Sequence, residues 1–279
     1  IENPEVDKLL SQAIEAHGAV VLPVFIGKTG TGELLEITPV QPMALAAAAL
    51  GHVHIDVGTD GVAREVYLRE GLGRPNRPHF AVAMASLLGL QTNDLPGVRS
   101  PIATAVTTPN TILRDRQNLI PFMGPANTVT STSYLDVLTK KIPDALVRGK
   151  VVLVGVTAAG HVDNITTSLG QISGVEVNAN IFHGLRQGTL AHALPPQYAA
   201  LVSGLFVTLG ILLLTLLQPR ALLIAVFIVV GALPAISWAG LRYHHLWLSP
   251  VPIIFSLLLS YPLWNWLRLD ATVKFIRRQ

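Results

Sequence analysis

The sequence predicts an α/β architecture: a mixed-sheet domain over residues 1–197, followed by three transmembrane α-helices. Three observations carry this prediction. Helix-like and strand-like apolar patterns alternate along residues 1–197. From Tyr198 onward, three uncharged apolar runs of close to 20 residues each follow one another, and about 20 helical residues match the roughly 30 Å hydrocarbon core of a bilayer. The charges also divide by region, with 14 Lys and Arg against 16 Asp and Glu in residues 1–197, and six against one in residues 198–279.

Of the 279 residues, 50% are hydrophobic and 13% are charged, whereas an ordinary soluble domain is about 25% charged. That composition excludes intrinsic disorder and argues against a wholly soluble chain. The net charge of +3 belongs to the apolar tail and not to a groove that could track phosphates, so no nucleic-acid partner is expected. The chain has no cysteine, which excludes disulfides, thiolate nucleophiles and cysteine-based metal sites. It suits an oxidising compartment such as the periplasm.

The elements follow in order. Asn3-Pro4 caps a helix running to His17, with Glu5 and Asp7 at its positive end, a stripe of Val6, Leu9, Leu10, Ala13 and Ile14, and Gly18 as its stop. Ala19 to Phe25 reads as a short strand. Thr38 to Leu50 holds two prolines and an alanine-rich run of helical character. His52 to Val57 and Val62 to Leu68 form a hairpin around Asp60-Gly61, whose glycine supplies the backbone freedom a tight turn needs. Arg69 to Pro78 reads as loop, Phe80 to Leu90 as helix, Asn118 to Phe122 as strand, and Ser133 to Leu138 as a short helix. Gly149 to Gly155, with its continuous apolar run Val151 to Val154, predicts a buried central strand. Gly174 to Arg186 is helical, and Pro195-Pro196 closes the domain.

The three predicted spans are 198–217, 221–240 and 248–267. Arg268, Lys274, Arg277 and Arg278 follow the last one, which places that end in the cytoplasm by the positive-inside rule and residues 1–197 on the other side. Residues 268–279 read as the start of a cytoplasmic signalling helix. An export element is expected upstream of Ile1, and a further domain beyond Gln279.

Motifs for chemistry are sparse. Val151 to Gly160 lacks both G-x-x-x-x-G-K-[ST] and G-x-G-x-x-G spacing, and no G-x-S-x-G elbow is present. His52, His54 and Asp56 alternate as one face of a strand would. With His161 and Asp163 they offer nitrogen and oxygen donors for a divalent metal, although the same alternation suits a solvated strand face. Polar groups at strand ends and turns make the candidate ligand-sensing residues His52, His54, Asp56, Asp60, Arg64, Thr157 and Asp163. No catalytic residue and no cofactor are expected in this segment.

Several segments, taken in order, resemble the CHASE2 family of extracytoplasmic bacterial sensor domains. They are Asp7 to Ile14 followed by Gly18-Ala19-Val20-Val21-Leu22-Pro23; Gly51 to Asp56 with Asp60-Gly61-Val62-Ala63-Arg64; Asn118 to Pro125; Ser133 to Leu138; and Leu146 to Ala158 followed by Asp163 and Gly174 to Asn180. Gly58 stands where the family has its first aspartate, and Asn178 where histidine is usual. The resemblance implies an inner-membrane, multi-pass protein of bacteria with residues 1–197 periplasmic or extracellular. It implies relay of a small-ligand or envelope-protein signal across the lipid bilayer to a cytoplasmic output, a histidine kinase foremost, and a homodimer is expected because closed two-fold assemblies are the common case. The alternatives are a membrane-tethered metal-dependent hydrolase using His52, His54 and His161, and a structural or interaction protein of the envelope.

Overall fold

The computed structural model describes residues 4–100, 110–157, 163–216, 219–260, 262, 264 and 266. The chain divides into two compact units, Ile1–Leu190 and Ala191–Gln279.

The first unit opens with α1 (Pro4–His17), then β1 (Val21–Lys28), β2 (Leu34–Ile37), α2 (Gln41–Ala46) and β3 (Ala49–His52). β1 pairs antiparallel with β2 and parallel with β3. Next come β4 (Asp56–Val57), β5 (Ala63–Leu72), β6 (Arg77–Pro78), α3 (Phe80–Leu87) and β7 (Ile112–Leu119). The unit ends with α4 (Tyr134–Leu138), β8 (Asn164–Thr167), β9 (Gly170–Ser173) and α5 (Gly174–Gln187). β5 is the hub of the larger sheet: β4, β6 and β7 pair antiparallel with it, β8 parallel, and β9 pairs with β8. This is the mixed α/β domain the sequence predicts.

The core lies between this sheet and α3 and α5. Val66 and Leu68 of β5, Ile172 of β9, Ala81 and Ala85 of α3, and Val177 and Ile181 of α5 all belong to it. α3 is rich in small residues: Ala81, Ala83 and Ala85 are buried and let it lie close to β3. Gly51 marks the closest approach, since a Cβ there would stand 2.7 Å from the Phe80 Cα and 2.9 Å from its nitrogen.

Three local expectations change. Gly149 to Gly155 forms no strand, and Val154 within it is 78% exposed. An apolar run needs a hydrogen-bonding neighbour to become a strand. Here β5 takes the central position, and only Leu153 of that run reaches the core. The strand expected at Asn118 to Phe122 begins earlier, at Ile112, because its partner β5 continues to Leu72 through the expected loop. The His52–Val57 strand is broken: β3 ends at His52 and β4 begins at Asp56, so His52, His54 and Asp56 do not share one uninterrupted face.

The second unit holds a parallel pair, β10 (His192–Ala193) with β11 (Leu246–Trp247), together with α6 (Pro196–Leu216) and α7 (Pro219–His244). Leu233, Ile253 and Leu257 are buried together against Phe206, Val229 and Ile254, and the Ser237 hydroxyl donates to the Leu248 carbonyl. Among the described residues, no helix is long and apolar enough to cross a membrane. The three spans at 198–217, 221–240 and 248–267 are therefore corrected. With them go the lipid bilayer as partner, the multi-pass inner-membrane placement and the relay across a membrane.

Candidate functional site

β5 alternates in and out of the core, and that period carries past Leu68 to Glu70. A carboxylate is thereby set on the apolar face, with only 2% of its surface exposed. It survives there because two neighbouring elements bring it partners. Arg114 lies directly across on β7, and its Nε donates to Glu70 Oε2 at 2.9 Å. His54, in the break between β3 and β4, places Nδ1 2.8 Å from the same oxygen. The guanidinium continues outward: Nη1 donates to Asp56 Oδ1 at 3.0 Å, Nη2 lies 3.2 Å from His54 Nδ1, and the group sits 5.4 Å from the Tyr67 ring centre. Burial alone would push the Glu70 carboxyl up. The His54 hydrogen bond and the neighbouring Arg114 guanidinium outweigh burial and hold it below its ordinary value.

Behind this network stand two buried histidines. His52 and His79 meet edge to face, 5.0 Å between ring centres. His79 caps α3: its Nδ1 accepts the Ala81 N–H at 3.1 Å. Among the described residues, neither ring nitrogen of His52 and not Nε2 of His79 has a hydrogen-bond partner. Burial first, then the neighbouring His79, drives the His52 pKa down to about 3. Burial, then His54, does the same for His79, also to about 3. Both rings are neutral near pH 7. His52 is faced by His79, Glu70, His54 and Arg114, so the pair and the network form one cluster grading from solvent to core.

A family model for the CHASE2 domain matches residues 1–217. The chain belongs to the CHASE2 domain family. No curated protein and no solved structure matches it. The family match describes a sensor domain and says nothing of a histidine kinase or any other output.

Within this CHASE2 domain, the seven residues selected from sequence separate. His52, His54 and Asp56 converge on the cluster. Asp60 and Arg64 form a bidentate ion pair at the hairpin turn instead, with Oδ1 and Oδ2 accepting from Nη1 at 3.1 Å and Nη2 at 2.7 Å. Asp60 Oδ1 also accepts the Val62 N–H, and the Arg64 hydrogen bond lowers the Asp60 pKa. Both side chains are about half exposed, and screened pairs of this kind stabilise little. Asp60→Ala is expected to move Tm by no more than about 4 °C. A larger loss in calorimetry would contradict the purely local role. Thr157 is exposed, and the Asp163 carbonyl accepts the Gly174 N–H at the start of α5. Neither joins the cluster. His161 lies outside the described residues. Among the described residues, no group of three or more His, Asp or Glu could hold a metal ion.

Glu70 and Arg114 were not selected from the sequence. Glu70 had a signal, a carboxylate continuing the Val66–Leu68 alternation. Arg114 had none, because Ile112–Leu119 holds four polar or charged residues in a row between Leu113 and Asn118.

Proposed function

We propose that this chain is an extracytoplasmic sensing domain whose input site is the rim of the cluster, His54, Asp56 and Arg114. The observation that carries the reading is the buried Glu70 carboxylate, held by two groups that also reach the surface. A solute that engages His54 or Arg114 changes the compensation of a charge inside the core. Surface binding is thereby coupled to packing, as a sensor requires, provided the solute prefers one of the two packings. Asp56 and Glu70 set two carboxylates against one guanidinium, so a small solute bearing an amine complements the rim.

Thermal denaturation in the presence of small mono- and diamines tests this. Binding to the folded state stabilises it, by about 2.7 kcal/mol at a hundredfold excess over Kd. A saturable rise in Tm, absent in Asp56→Asn, is expected. Absence of any saturable shift across the amines, or an equal shift in Asp56→Asn, sinks the reading.

A further inference from the structure

On the opposite face of the same two strands lies a cleft that the network does not use. Strand alternation turns Arg69 away from Leu68 and Glu70, and β7 sets Asp115 directly across from it. Arg69, Arg99, Arg116, Asn93, Ser100 and Asp115 line a cavity of about 190 Å³ together with Leu95, the share of liquid volume taken by roughly six waters.

The wall of this cleft is built. Residues 94–100 are strapped along β7 by successive bonds. Ser100 N–H donates to Asp115 Oδ1 at 2.8 Å, Val98 and Gln117 exchange both backbone bonds at 3.0 Å, and Asn118 Nδ2 donates to the Pro96 carbonyl at 3.1 Å. Arg116 donates to the Leu95 carbonyl and, at 3.3 Å, to Asp94. Its backbone is left-handed, with φ of 60° in mid-strand, a conformation that costs energy outside glycine. Gly97, at φ of 104°, passes so close to β7 that a Cβ would stand 2.6 Å from the Gln117 carbonyl oxygen.

The charge balance in this wall is uneven. Asp115 is engaged by Ser100, and Arg116 by Leu95 and Asp94. Among the described residues, the Arg69 and Arg99 side chains form no ion pair or hydrogen bond. The Ser100 N–H is neutral and leaves the Asp115 charge in place, so Arg69 and Arg99 face the cavity against one carboxylate and leave it net positive. Guanidinium matches planar and tetrahedral oxyanions by paired N–H donors.

We infer that this cleft binds a small oxyanion, a carboxylate or a phosphate, through Arg69 and Arg99. The inference does not depend on the rim of the Glu70 cluster being the input site.

Calorimetric titration of the chain with inorganic phosphate and, separately, with succinate at constant ionic strength decides it. Saturable binding of at least one is expected. Arg99 is on the surface, so Arg99→Gln keeps the fold and should weaken that binding tenfold or more, and Arg69→Gln should do likewise. Preference for phosphate or for succinate identifies which oxyanion the cleft takes. Asp56→Asn should leave the affinity unchanged, which separates this site from the amine rim. No saturable binding of either anion overturns the inference, as does unchanged affinity in the Arg69→Gln/Arg99→Gln double variant.

Discussion

Acidification from about pH 7 to about pH 4.5 is expected to remove on the order of 5 kcal/mol of folding stability from the first unit. The source is the His52–His79 pair. Each titrates near 6.5 when unfolded and is held down to about 3 in the fold. A depressed folded pKa contributes stability that is fully present above the unfolded value and is lost as pH falls toward the folded one. The loss therefore begins below about pH 6.5 and grows toward pH 3. Glu70, also held below its ordinary value, adds to the loss in the same direction. A domain whose total stability is about 5–15 kcal/mol cannot absorb all of this, so unfolding precedes protonation of the native rings. Urea midpoints followed by circular dichroism from neutral to acid pH give the slope, which should correspond to two protons taken up on unfolding. His52→Leu removes one of them and leaves no orphaned ring nitrogen at that position. It should be neutral or stabilising at neutral pH and show half the slope. An unchanged slope in His52→Leu would assign the acid sensitivity elsewhere.

Arg114→Leu is expected to cost about 3–5 kcal/mol, because it strips the main cation from a buried carboxylate. The double variant Arg114→Leu/Glu70→Gln should recover more than half of that loss, since the charge left unpaired is then gone. Denaturant unfolding of both variants and of Glu70→Gln alone closes the cycle. Strictly additive losses would show that Glu70 and Arg114 do not act as a pair.

The elements that were legible in the sequence are those whose signal is local. α1 and α5 showed acidic first turns and helical stripes, and α3 a run of small apolar residues. Gly149 to Gly155 failed for the complementary reason: apolarity says that a segment can be buried, and strand pairing is decided by chain far away. The same distinction divides the site. His52, His54 and Asp56 stand together in sequence and were found. Glu70 and Arg114 come from positions 16 and 60 residues beyond His54, and only the pairing of β5 with β7 joins them. The apolar tail gave the opposite error. Absence of charge over about 20 residues is a weaker property than a helix of sustained hydropathy, and among the described residues no such helix is found.

Gly51 has a mechanical consequence. The first turn of α3 rests on the bare backbone of β3, with no side chain between them to change rotamer. Such a joint has no clearance. β3 ends at His52, two residues before His54. A displacement of that strand is handed to α3 as rigid translation instead of being taken up by repacking. The strand and the helix behave as one lever, and its short arm ends two residues before His54.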